Sequence, residues 1–351
     1  MIVTVTLNPA LDLTYRVGTL VPHGTHRVSQ VAERPGGKGL NVAGVLHALG
    51  EPVLATGLLG GTTGGRVTTL LAGDAVPAAF VRIAGETRRT VAVADDVDAT
   101  GFWEPGPQVT PGEWAAFVAH FRDLLGTADV VALSGSLPPG VPVDAYATLV
   151  HLAAEYAVPS ILDTSGEALR HGLAARPDLA KPNTTELSAL LASASVPGGA
   201  AITAGRDRTF ADAAPGRAGT DAGPSGARDA DAGPALLEAR GGGRELADAA
   251  RALELGARAV VVSQGPDGLL ALTVDEAWRG VPSERLEGNP TGAGDACVAA
   301  LARGLRDRTP WPALLADAVA LSAAAVAAPV AGAVDAATYR RLLPAVRVSA
   351  A

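Results

Sequence analysis

Short runs of β-branched and aliphatic residues alternate with stretches of helical period along most of the chain, and this rhythm restricts the fold more than any other feature. Ile2–Leu7, Val53–Leu58, Val130–Ser134, Ser160–Asp163 and Ala259–Ser263 are apolar runs of strand length, as expected for strands buried on both faces. Asn41–Leu49, Trp114–Leu125, Asp144–Ala154, Glu245–Leu255 and Gly294–Leu305 read as helices, with Gly50 and Gly256 as their C-terminal caps. Strands joined through helices run parallel, so the pattern predicts an α/β fold with a mostly parallel sheet covered on both faces. Functional groups of such a sheet gather at the carboxyl ends of its strands. Ser134-Gly135-Ser136, Asp163-Thr164-Ser165-Gly166 and Ser263-Gln264-Gly265 each follow a strand directly.

Two regions break the rhythm. Leu11–Val31 and Thr87–Trp103 alternate, as in Thr90-Val91-Ala92-Val93-Ala94, with no helix between. They are expected to be antiparallel strands projecting from the sheet as a lid, over about residues 11–33 and 87–103. Residues 193–243 are mostly Ala, Gly, Asp, Pro and Arg and end in Gly241-Gly242-Gly243. So few large apolar groups cannot offset the entropy of ordering, which predicts a disordered, low-complexity surface insertion without a catalytic part.

At 351 residues and 48% hydrophobic, the remainder suffices for one large domain. The net charge of -8 argues against nucleic acid as a partner, and no apolar run is long enough for a membrane span. The first strand lacks the charged leader of a secretory signal. One cysteine, Cys297, excludes an internal disulfide, suits a cytoplasmic location and is expected to be a packed thiol. The six histidines lack metal-ligand spacing. Trp103, Trp114, Trp278 and Trp311 are too dispersed for a stacking platform.

Chemistry concentrates in Gly288-Asn289-Pro290-Thr291-Gly292-Ala293-Gly294-Asp295, a small-residue turn running into an alanine-rich helix. Such a turn presents unpaired N–H groups at the positive end of a helix, which favours an anion. A carboxylate at that mouth, Asp295, adds a proton acceptor, and phosphoryl transfer to a hydroxyl needs that combination. Taken alone, the run is equally a glycine turn with Asp295 as an ordinary cap. The basic residues add a second signal: only Lys38 and Lys181 are lysine and all the rest arginine. Either two lysine codons survived by chance, or both sites require a compact ammonium, as phosphate contacts can.

Further motifs accompany this run in fixed order: Thr6-Leu7-Asn8-Pro9-Ala10-Leu11-Asp12, Gly36-Gly37-Lys38-Gly39-Leu40-Asn41, Ser134-Gly135-Ser136, Lys181-Pro182-Asn183-Thr184-Thr185-Glu186 and Ser263-Gln264-Gly265-Pro266-Asp267-Gly268. Together they resemble the PfkB branch of the ribokinase-like carbohydrate kinases, most closely its phosphosugar kinases, 1-phosphofructokinase and tagatose-6-phosphate kinase. The resemblance runs from Met1 to about Leu343, the insertion excepted. It implies a three-layer α/β/α sandwich with a β-sheet lid, dimerising through that lid, and transfer of the γ-phosphoryl group of ATP with Mg²⁺ to a sugar hydroxyl. By resemblance Asp295 is the base, and Gly292, Ala293 and Gly294 supply the anion hole. Asp12, Gly36, Gly37 and Asn41 meet the sugar. Arg88, Lys38 and Ser136 meet the phosphosugar, Arg88 and Lys38 at its phosphate. Lys181, Asn183, Glu186 and the turn Ser263, Gln264, Gly265, Pro266, Asp267 and Gly268 form the nucleotide side, with Glu186 orienting Mg²⁺ through water.

Departures from the family pattern are Thr90, where Asn is frequent, and Asn289-Pro290-Thr291 ahead of the Gly-Ala-Gly-Asp core. The substrate expected is D-fructose 1-phosphate, with fructose 6-phosphate and tagatose 6-phosphate as alternatives within the class. A ribose or nucleoside kinase and a sugar-phosphate-binding regulator without turnover are alternatives outside it.

Overall fold

A computed structural model describes residues 1–194 and 243–351. The insertion expected over residues 193–243 falls almost wholly outside them. A ten-stranded sheet forms the centre, in the order β14-β13-β12-β11-β10-β9-β8-β1-β4-β5. Its parallel part comprises β1 (Ile2–Thr6), β4 (Val53–Gly60), β5 (Ala78–Ile83), β8 (Val130–Ser134), β9 (Ser160–Asp163), β10 (Leu179–Ala180) and β11 (Ala259–Ser263). An antiparallel edge follows, made of β12 (Leu269–Thr273), β13 (Ala277–Val281) and β14 (Arg347–Ala350).

Strand residues alternate between two cores, as a side-chain period of two requires. Val3, Val5, Val131, Leu133, Leu162, Val260 and Val262 join one core. Its helices are α3 (Pro111–Leu125), α4 (Ala145–Glu155), α5 (Gly166–Ala174), α6 (Thr184–Ala194) and α7 (Arg244–Glu254). Ile2, Val130, Ala132, Ile161 and Val261 join the other. That face carries α1 (Lys38–Ala48), α2 (Gly61–Gly73), α8 (Ala293–Asp307) and α9 (Trp311–Val326), with α10 (Ala336–Leu342) packed on α9. Cys297 is fully buried in this second core, where loss of solvation pushes its thiol up to about 12, so it packs as an inert apolar group. Among the described residues no helix is long and apolar enough to cross a membrane.

The five expected strands and five expected helices all form, with boundaries shifted by a few residues. Gly50 and Gly256 each stand one residue beyond the helix C-cap with positive φ, closing α1 and α7. The lid differs from expectation in pairing. It is a four-stranded sheet of order β3-β2-β6-β7, built from β2 (Ala10–Arg16), β3 (Gln30–Gly36), β6 (Arg88–Ala94) and β7 (Ala99–Trp103). The two hairpins β2–β3 and β6–β7 are antiparallel, but β2 and β6 run parallel, so the lid is mixed. Both of those strands leave the main sheet in the same direction, β2 directly after β1 and β6 after β5, and parallel pairing follows from that common exit.

Candidate active site

Gly292 initiates α8 with φ 90°, a left-handed conformation that suits glycine, and no side chain caps the helix. The N–H of Ala293 donates to the Pro290 carbonyl at 3.2 Å, so the turn itself uses one of the three expected anion-hole donors. Gly294, in the first turn of α8, has no acceptor inside its own helix. Asp295 follows and is only 6% exposed. Burial and then the neighbouring Asp163 carboxylate push its carboxyl up to about 7, while Asn41, Lys38 and Lys181 pull in the opposite direction. Asn41, one turn into α1, donates to Asp295 Oδ2 at 2.7 Å and orients it.

Both lysines converge on Asp163 at the end of β9. Lys181 Nζ lies 3.3 Å and Lys38 Nζ 3.2 Å from the same oxygen, Oδ1. Asp163 and Lys181 are almost inaccessible, whereas Lys38 stays 37% exposed and lies 3.6 Å from Glu186 Oε1. Burial opposes charge on each lysine, yet the surrounding carboxylates, Asp163 foremost, raise both above the ordinary lysine range. A Cβ on Gly294 would stand 3.5 Å from Lys181 Nζ, which puts this ammonium at the mouth of α8. The sequence contained a signal for Asp163, an acid at a strand's carboxyl end, but its role as the centre of the charge cluster went unread.

Asn183 and Glu186 cap α6 reciprocally. Glu186 N–H donates to Asn183 Oδ1 at 2.8 Å and Asn183 N–H to Glu186 Oε2 at 2.9 Å, leaving Oε1 outside the cap. Asn183 also bridges Ser263, and Ser263 N–H donates to the Pro182 carbonyl. The expected nucleotide-side motifs are therefore adjacent in space. Gly265–Asp267 form a 3₁₀ turn between β11 and β12, closed by Gln264 N–H donating to the Gly268 carbonyl at 2.9 Å. The Gln264 side chain reaches Glu245 on α7 at 2.6 Å.

A cleft of about 230 Å³ opens at the carboxyl ends of β1, β8 and β9, lined among others by Asn8, Gly37, Lys38, Arg88, Ser136 and Glu186. Arg88 is held there by the carbonyls of Asn8 (3.1 Å) and Glu104 (3.3 Å). Its guanidinium is pulled below the usual range by burial, against the attraction of Asp12 and Glu104. Asn8 Nδ2 donates to Ser136 Oγ at 3.2 Å and to the Pro105 carbonyl at 3.1 Å. Asp12 lies on β2 beside this cleft; burial raises its carboxyl, against the Thr90 hydrogen bond and the charges of Arg88 and Arg34. Gly36 passes so close under Asp12 that a Cβ would fall 2.2 Å from the carboxylate. Arg34, which sequence reasoning did not single out, ties the lid to the Ala331 carbonyl at 3.1 Å.

Asp295 and Asp12 are not among the residues lining this cleft. Asp295, held by Asn41, is coupled to it through Lys38, which lines the cleft. Four buried polar atoms at the carboxyl ends of β1, β8 and β9 have no hydrogen-bond partner: Thr6 Oγ1, Asn8 Oδ1, Ser134 Oγ and Asp163 Oδ2. Buried groups left unpaired together at the carboxyl ends of neighbouring strands are the mark of a place where a polar ligand completes the network.

Solved structures share this fold. Phosphofructokinase-2 from Escherichia coli, solved in complex with potassium, superposes with a TM-score of 0.79 at 26% identity, covering 98% of each chain. The same enzyme in complex with fructose-6-phosphate gives 0.76 at 26% identity. A possible 1-phosphofructokinase from Thermotoga maritima shares the fold, with a TM-score of 0.75 at 24% identity over 100% of this chain and 99% of that one. The model of the pfkB family carbohydrate kinases matches residues 5–209 and 235–336, and the chain belongs to that family.

Proposed function

We propose that this carbohydrate kinase is an ATP-dependent hexose-phosphate kinase that converts D-fructose 1-phosphate into D-fructose 1,6-bisphosphate. The observation that carries the reading is the buried Asp295, at a helix N-terminus, with a carboxyl near 7 and two ammonium groups gathered beside it. A base tuned close to neutral pH accepts a hydroxyl proton in the transition state, and the cations stabilise charge on the moving phosphoryl group. Asp295 takes the proton from the attacking hydroxyl, Asn41 keeps its carboxylate oriented, and Gly292 and Gly294 supply N–H donors. Asp12 accepts hydroxyls of the sugar.

Arg88, a guanidinium in the cleft, suits the phosphate already on the acceptor. The ion pairs of Lys38 with Asp163 and Glu186 support a place nearer the transferred phosphoryl than the resident phosphate. Glu186 Oε1, free of the helix cap, fits the role of holding hydrated Mg²⁺, an ion that uses few protein ligands and relies on water and phosphate oxygens. When bound, Mg²⁺ would neutralise charge on the nucleotide phosphates. Fructose 6-phosphate is the second reading, favoured by the likeness to the Escherichia coli enzyme solved with that sugar.

ADP release by purified protein, measured against phosphorylated and free sugars, tests the proposal. Turnover on fructose 1-phosphate above all others is expected; turnover confined to free sugars would overturn it. Arg88→Ala is expected to raise the phosphosugar KM by roughly 10- to 100-fold, as loss of a charge-assisted contact implies, with a smaller change in the KM for ATP. An unchanged phosphosugar KM removes Arg88 from the site. We also propose a homodimer contact on the lid face opposite Asp12, at its outer strands where Val91 and Phe102 align and Phe102 is 57% exposed; Leu13, on the same face, already packs against the second core.

A further inference from the structure

Three side chains stand in a row across the lid. Thr90 on β6 pairs with Asp12 on β2 and, on its other side, with Trp103 on β7. Residues directly opposite in paired strands share a face, so Trp103 projects from the same side as Asp12 and Thr90. Arg88, two residues before Thr90 on β6, shares that side and lines the cleft. The chain after Trp103 runs straight into the site: the Glu104 carbonyl accepts from Arg88, and the Pro105 carbonyl accepts from Asn8.

Trp103 is 72% exposed, unusual for so large an apolar side chain. Gly101, the preceding residue on this face, leaves room for the indole to pack against it, since a Cβ there would come within 2.5 Å of the ring. The ring packs against Gly101, and most of its surface is exposed. We propose that Trp103 is the apolar wall of the sugar subsite and a determinant of which phosphosugar is accepted, an inference that rests on the phosphosugar reading above. A sugar presents hydroxyl edges and a C–H face. Asp12 and Thr90 suit the edges, and the exposed indole suits the carbon face. Apolar surface with a few placed polar groups is the usual composition of a small-molecule site.

The test uses the full chain carrying Trp103→Ala or Trp103→Phe, with fructose 1-phosphate and fructose 6-phosphate as probes. Trp103→Ala should raise the KM of the better phosphosugar roughly tenfold, the scale on which an apolar contact discriminates between substrates. The KM for ATP should stay within about twofold, and Trp103→Phe should keep most of the wild-type value. Phosphosugar should change the tryptophan emission of the wild type and not that of Trp103→Phe, in which the other three tryptophans remain. An unchanged KM in Trp103→Ala, or an emission response that persists in Trp103→Phe, overturns the assignment. So does a KM change accompanied by loss of oligomeric mass in sedimentation, which would make Trp103 a contact between copies. If the wild type itself neither binds nor phosphorylates either probe, the phosphosugar reading falls first and this inference with it.

Discussion

Asp295→Asn is expected to lower kcat roughly a thousandfold while leaving phosphosugar and ATP binding nearly unchanged, the signature of a lost general base. The substitution keeps the shape of the side chain and leaves an oxygen for the 2.7 Å bond from Asn41, so the effect isolates the proton acceptor. Turnover near the wild-type value would remove Asp295 from that role. The pH profile gives a second reading of the same group. Its carboxyl titrates near 7 in the fold and near 3.8 in the unfolded chain, and only the ionised form accepts a proton. The wild-type kcat should therefore fall as pH drops through about 7. Stability runs the other way. Between about pH 4 and 7 the fold binds a proton that the unfolded chain has released, so the stability this group contributes is full below that window and lost as pH rises through it. At pH 8 Asp295→Asn should thus be more stable than the wild type, by something on the order of 3 kcal/mol, in a urea titration. A group that costs stability in its active state is what a site selected for activity shows.

Much of the fold was legible because its signals are local. Runs such as Val130–Ser134 are apolar on both sides and too short for a helix, and Ile161 and Leu162 point into opposite cores as a strand period demands. The α2 helix was not legible in the same way. Its sequence begins Gly61-Thr62-Thr63-Gly64-Gly65, residues of low helix propensity, and it is held by Val67 and Leu71 in the second core. The parallel β2–β6 pairing was equally hidden, since alternation within a strand specifies its faces and says nothing of which neighbour it meets. In the site, glycine turns and lone acids announced themselves as motifs. The hub at Asp163 did not, because it arises from three segments, around Lys38, Asp163 and Lys181, that only the sheet order brings together. Nor did Arg34 and Trp103, whose positions beside Asp12 and Thr90 depend on the register across the lid.

That hub carries the second large effect. Asp163→Asn leaves Lys181, which is 3% exposed, without its principal counter-charge, and breaking a buried pair from one side costs about 3–5 kcal/mol. The penalty belongs to the stranded ammonium rather than to the lost attraction, so Asp163→Asn combined with Lys181→Met should recover much of it. A double-mutant cycle in urea denaturation measures this. A cost under about 1 kcal/mol for Asp163→Asn, or no recovery in the double variant, would show the pair to be incidental. Asp163 also repels the Asp295 carboxylate, so its neutralisation should carry the acid limb of kcat to a pH below 7. A residue that only held the fold would leave that limb in place. Movement of the limb together with a loss of stability would identify Asp163 as the group that both anchors the lysines and sets the base.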